Sequence, residues 1–111
     1  MYPIKVSTSD ASGGAVTSSM VALDTFATQF QTTIGCAVTG TVNYTVQYTL
    51  DNVLADGYLP SSGTWYNLTD LASKTGTLAA YVDFPITGVK LVQNTGNGSV
   101  VMTVLQTGAG D

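Results

Sequence analysis

The chain has 111 residues, a formal net charge of −4 and only 9% charged side chains, against roughly 25% in an ordinary soluble domain. It holds seven Asp, three Lys (Lys5, Lys74 and Lys90) and no Glu, Arg or His. This inventory excludes imidazole-based catalysis, imidazole metal ligands and arginine clamps, and it argues against nucleic acid as a partner, because counterion release needs a basic patch.

Tyr2-Pro3-Ile4-Lys5-Val6 opens the chain as a short extended piece. Ser7 to Ser19 is a run of Ser, Thr, Gly, Ala and Asp in which Val16 is the one large apolar side chain, a linker-like composition. Residues 1–19 are therefore expected to be an extended N-terminal arm on a single β-sandwich domain over 20–111. An ordinary first strand followed by a surface loop is the alternative. In the body, Phe26, Phe30, Ile34, Cys36 and Val38 share one parity, with Thr28 and Thr32 between them, which suggests a strand. Thr39-Gly40-Thr41 breaks it. From Val42 to Leu50 every even position is apolar and every odd one polar, the pattern of a strand with one face on a core. These two segments read as antiparallel neighbours with a short connection.

Asp51 to Gly63 is dense in turn formers and reads as a long loop. Trp65 and Tyr66 follow as a short extended piece, and Leu68 to Leu71 as one helical turn or a plain crossing segment. Alternation over 77–84 predicts a strand, and Pro85, which lacks a ladder donor, must end it or sit at an edge. Val89, Leu91 and Gln93 alternate with Lys90 and Val92. Asn94 to Gly98 is the strongest turn signal, with Asn97-Gly98 tolerant of positive φ. Ser99 to Gln106 carries apolar residues on both parities, so it is expected to be central and covered on both faces. The tail from Thr107 reads as a loose end.

Thr and Val abound (18 and 13), and helix-surface residues are scarce. The expected fold is all-β: an antiparallel, jelly-roll-like β-sandwich of about six or seven strands with at most one short helix. A single cysteine leaves no internal disulfide. No signal peptide is recognised at the start. The longest strictly apolar run, Leu78 to Val82, is five residues, far too short for a membrane helix.

Candidate chemistry is sparse. Asp51, Asn52 and Asp56-Gly57 could offer oxygens to calcium, but the spacing does not match an EF-hand loop and no Glu closes it; a turn-rich loop is the simpler reading. Tyr58, Trp65 and Tyr66 could stack on a sugar ring or a partner surface. Core packing between sheets is the commoner fate of a lone Trp, and it is favoured for Trp65, while Tyr58 stays open. Cys36 lacks a basic neighbour and reads as a buried, inert thiol. Asn43, Asn67 and Asn97 each head a glycosylation sequon, matches that a Thr-rich chain supplies by chance. Gly96-Asn97-Gly98 is no dinucleotide fingerprint, since a strand follows it. No catalytic residue, cofactor, metal, small-molecule substrate, nucleic acid or membrane is expected. Low charge points instead to a protein packed among other subunits, because interface cores are depleted in charge.

The runs Tyr44 to Asp51, Trp65, Pro85 to Leu91 and Gly98 to Gln106 resemble small virion proteins of tailed phages. In length and pattern they are most similar to the capsid decoration, or stapling, proteins of short-tailed phages of the epsilon-fifteen type. The resemblance covers about residues 30–106 and rests on strand patterns, with no catalytic signature. It implies a jelly-roll-like body on the capsid exterior of the virion, a homo-oligomer (a dimer) bracing contacts between major capsid protein subunits. Tyr2, Ile4 and Val6, as an arm anchor, and Tyr58 are the residues expected to touch the capsid or another partner. A carbohydrate-binding β-sandwich module, or a tail or fibre component, is the rival.

Overall fold

The computed structural model describes residues 3–23, 31–53, 56–59, 62–82 and 86–107. Phe26, Phe30, Phe84, Pro85, the tail beyond Thr107 and the expected contact residue Tyr2 lie outside that set. Nine strands are present among the described residues: β1 (Ile4–Ser9), β2 (Val16–Thr17), β3 (Val21–Ala22), β4 (Gln31–Thr39), β5 (Asn43–Thr49), β6 (Trp65–Asn67), β7 (Leu78–Val82), β8 (Gly88–Thr95) and β9 (Ser99–Thr107). A 3₁₀ turn at Thr69–Leu71 accounts for the Leu68–Leu71 segment. No helix among these residues is long and apolar enough to cross a membrane.

The strands form two antiparallel sheets, ordered β1-β9-β4-β7 and β2-β8-β5-β6, with β3 also on β8. Their pairing is nested: β1 with β9, β2 and β3 with β8, β4 with β7, β5 with β6. The chain is thus one long hairpin closed between β5 and β6. It is rolled so that successive pairs alternate between sheets, and the β4–β9 and β5–β8 ladders seal the roll. This is jelly-roll winding.

Period-2 alternation explains the core. Ile34 and Cys36 of β4 and Val100, Met102 and Val104 of β9 face Tyr44 and Val46 of β5 and Val89 and Leu91 of β8, all essentially inaccessible to water. Leu71 of the 3₁₀ turn and Ile86 belong to the same cluster. The even side of the 42–50 pattern is buried at Val42, Tyr44 and Val46 and half-buried at Tyr48, but the odd side is not uniformly open, since Thr45 and Thr49 are buried as well; Leu50 lies past the strand end and is 56% exposed.

Several expectations change. The β4 and β5 segments are not neighbours: the Thr39–Thr41 turn carries the chain from one sheet to the other, so their apolar faces meet across the sandwich. Alternation reports which face is buried but not which strand lies alongside. For the same reason the 94–98 turn joins β8 to β9 between sheets. Its left-handed residue is Gly96 (φ 100°), and Asn97 is not left-handed. A Cβ on Gly96 would strike the backbone of Thr41 and Val42, so both the conformation and this close approach of the two turns require glycine. β9 is central as expected, but its second face is open: Val101 is half-buried and Leu105 exposed.

Residues 4–9, expected within an arm, form the edge strand of the first sheet, in register from Ile4↔Val104 to Ser9↔Ser99. Val16–Thr17 pairs with β8. Residues 4–9 thus form a first strand, as in the alternative, and 16–17 add a short second one in place of a continuous surface loop. Alternation in β1 is weak because only Val6 and Thr8 reach the core side, so its second half, Ser7 to Ser9, resembled the start of a linker. Buried Gln93 of β8 ties β1 to the second sheet: its carbonyl accepts from the Thr8 hydroxyl (2.9 Å), and its amide donates to the Gly96 and Gly98 carbonyls (3.1 and 3.0 Å).

Candidate functional site

The two outer sheet faces differ in chemistry. Lys5 is the sole charged residue in β1, β4, β7 and β9. The register puts Thr33, Gly35 and Ala37 of β4 beside Val101, Thr103 and Leu105 of β9 and beside Ala79 and Tyr81 of β7. Gly35 has no side chain, and nothing lies within 4 Å of where one would begin. The small neighbours Ala37 and Ala79 deepen this into an open groove of about 410 Å³, rimmed by Leu78, Val101 and Thr103. Tyr81 stands 60% exposed nearby. Such a surface can be covered by a partner without stranding an unpaired charge.

The outer face of the second sheet is polar. An open groove of about 340 Å³ is lined by Asn43, Thr45, Gln47, Asn67, Ser73 and Asn94, with Val92. Its side chains bond to one another: the Gln47 amide donates to the Asn67 carbonyl (2.9 Å), and the Asn94 amide donates to the Asn43 carbonyl and the Thr45 hydroxyl (2.9 and 3.1 Å). Beside it, Lys90 Nζ sits 4.4 Å from the Trp65 ring centroid, a cation–π contact. Burial pulls the Lys90 ammonium below its ordinary pKa.

Trp65 therefore does not pack between the sheets. It lies opposite Thr49 on edge strand β6, half-buried and outside the core cluster. Among the described residues the aromatic side chain fully buried in the core is Tyr44, its hydroxyl donating to the Gly76 carbonyl at 2.8 Å. Tyr66, 45% exposed, stacks on Tyr48 with centroids 5.6 Å apart. Tyr58 is half-buried. Its hydroxyl donates to the Asp51 carboxylate (3.2 Å), which also accepts the Thr64 N–H (2.8 Å), so Asp51 closes its own loop. Asp56 is exposed, and no group of three metal-ligating acids, thiols or imidazoles occurs among the described residues. Ile4, at 38% exposure, is accessible at the start of β1, whereas Val6 packs against the core from that strand.

Cys36 is buried, as its apolar alternating segment suggests, and the thiol is pushed up to about 12 by loss of solvent. Tyr44, in hydrogen-bond contact with it, is likewise pushed up to about 12, chiefly by burial and secondarily by Cys36. Such groups stay protonated and unreactive near neutrality. Sequence reasoning missed the two outer grooves because each is assembled from strands distant in the chain. The signal was present only as a lack of charge in one set of strands and a surplus of Asn and Gln on the odd parity of another.

No family model, curated protein or solved structure matches this chain.

Proposed function

We propose that the protein is a structural, non-enzymatic capsid decoration protein. In this reading it binds the outer surface of an assembled phage capsid and staples neighbouring major capsid subunits. The observation that carries the reading is the outer face of the β1-β9-β4-β7 sheet, which is broad, built from small and apolar residues, and charged at Lys5 alone. A cement must cover a subunit boundary without burying unpaired charge, and a rigid two-sheet body suits that task. The strand-pattern resemblance and the acidic balance, better suited to the exterior of a DNA-filled shell than to its interior, support the same placement. Anything that binds the assembled lattice but not free subunits stabilises the lattice by mass action, and many copies add modest contacts.

The test is co-sedimentation with undecorated capsids, followed by heating. Wild-type protein should bind and raise the temperature of capsid disruption. The double variant Ala37→Lys with Thr103→Lys places two charges on the open face and should lose most binding while keeping its fold. Failure of the wild-type protein to bind refutes decoration. Equal binding by the double variant refutes this face as the contact. Hundreds of copies per particle would separate decoration from a tail or fibre role.

A second reading has its own observation: Trp65 lies outside the core, next to a groove of amides and hydroxyls. Amides and hydroxyls offer paired donors and acceptors, and an indole offers a stacking face, the complement of a neutral sugar. Binding of immobilised glycans by the isolated protein, lost in Trp65→Ala, would favour it over decoration.

A further inference from the structure

Two sheets present four edges, and three of these carry a feature that discourages further pairing. β1 carries Lys5; β2 and β3 split their edge into two-residue pieces; β6 is three residues long. β7 has no such guard. It is five residues, Leu-Ala-Ala-Tyr-Val, without charge, Pro or Gly, and Leu78 and Tyr81 are 41% and 60% exposed.

The ladder shows which backbone groups point outward. The Asp10 N–H donates to the Gly98 carbonyl, which makes the even residues of β9 the ones bonded to β1. Its odd residues then bond β4, and the even residues of β4 turn toward β7. The Val38 N–H, donating to the Thr77 hydroxyl at 3.0 Å, agrees. Leu78, Ala80 and Val82 are thus the residues bonded to Cys36, Ile34 and Thr32. The N–H and C=O groups of Ala79 and Tyr81 face away from the sheet.

We propose that a second copy of this chain pairs there, β7 antiparallel to β7 about a two-fold axis at Ala80, fusing two four-stranded sheets into one of eight. In this register Ala79 lies opposite Tyr81 of the second copy, and all outward groups of both residues are used in four backbone hydrogen bonds. Large Tyr81 packs beside small Ala79, twice. Self-complementarity about one residue is what an isologous interface needs. Charge also selects this edge: each copy carries −4, and in the first sheet the one charged residue, Lys5, lies on the opposite edge. Two five-residue strands bury much less than the ~1,200–2,000 Å² of a stable interface. The dimer is therefore concentration-dependent in solution and is reinforced wherever another surface aligns the copies.

The proposal does not depend on capsid binding and is tested without capsids. In sedimentation, wild-type protein should shift from monomer near ~1 µM to dimer within the range up to ~1 mM. Ala79→Pro deletes an outward N–H and leaves the β4 ladder intact, the one setting in which an edge strand tolerates proline. Tyr81→Lys changes an exposed side chain and guards against misreading a folding defect. Both should stay folded by circular dichroism and be monomeric throughout. Ala80→Cys puts two thiols on a pair with Cα atoms ~4.5 Å apart, inside the ~4.4–6.8 Å disulfide range, so mild oxidation should give a covalent dimer that the wild-type protein, with Cys36 buried, does not form. A wild-type chain still monomeric at ~1 mM overturns the proposal. So does a dimer that survives both edge variants, or Ala80→Cys that fails to cross-link.

Discussion

Gln93→Leu tests how the two sheets are fastened. The side chain is fully buried and holds three hydrogen bonds that join β1, β8 and the β8–β9 turn. Leucine fills nearly the same space but makes none of them. The two carbonyls are not fully orphaned, because Gly96 also accepts from the Ala11 N–H and Gly98 from the Asp10 N–H. The hydroxyl of Thr8, a residue 4% exposed, is left without its acceptor. One stranded hydroxyl costs about 1–3 kcal/mol and two further bonds about 1 kcal/mol each, partly offset by added apolar burial of about 1 kcal/mol. The expected loss is about 2–4 kcal/mol, which at an m-value of about 2 kcal/mol/M lowers the urea midpoint by about 1–2 M. Thr8→Val in the same background removes the stranded hydroxyl. The double variant should therefore lose less than the sum of the two singles, with a coupling of about 1 kcal/mol or more. Denaturant unfolding of the four proteins decides it: additive losses, or a Gln93→Leu midpoint within about 0.3 M of wild type, would refute the view that this amide fastens the sandwich.

Thr32→Val should stabilise by about 1 kcal/mol in the same assay, because the Thr32 hydroxyl is buried with no hydrogen-bond partner. Trp65→Ala should cost only about 1 kcal/mol, the scale of a surface cation–π contact, and not the roughly 3–5 kcal/mol of a core aromatic. Deleting residues 1–19 should unfold the chain, not free a dispensable arm, since it strips β1 from β9 and removes Thr8 from Gln93; the loss of β-sheet signal in circular dichroism reads this out. Through Cys36 and Tyr44, stability should fall as the pH rises from about 9 toward 12. The unfolded chain releases the Cys36 and Tyr44 protons near their ordinary values of 9.0 and 10.0, whereas the folded chain holds both to about 12. Unfolding midpoints at pH 8, 10 and 11.5 check the sign. The Cys36 thiol should resist an alkylating reagent at pH 8 until denaturant is added.

By itself the sequence determines the class of this protein and the buried face of most strands. Val42 to Thr49, Val89 to Gln93 and Val100 to Val104 alternate because one side of each meets the core, and that constraint is local enough to be written in consecutive residues. The glycine-rich breaks at 39–41 and 94–98 are legible for the same reason. Pairing partners are not. A strand's pattern is satisfied equally by a neighbour beside it or a sheet across from it, so β4 and β5 read as adjacent although they sit in opposite layers. The position of Trp65 was also decided in three dimensions, where Tyr44, Ile34 and Met102 fill the core and leave the indole to Lys90 on the outside. Residues 4–6 read as an extended piece and 7–9 as the start of a linker-like run, and together they become one strand because β9 offers them an edge and Gln93 offers Thr8 a buried partner. The two outer faces, and the unguarded edge at β7, exist only after the hairpin has rolled up. Each combines side chains tens of residues apart, and only tertiary structure brings them onto one surface.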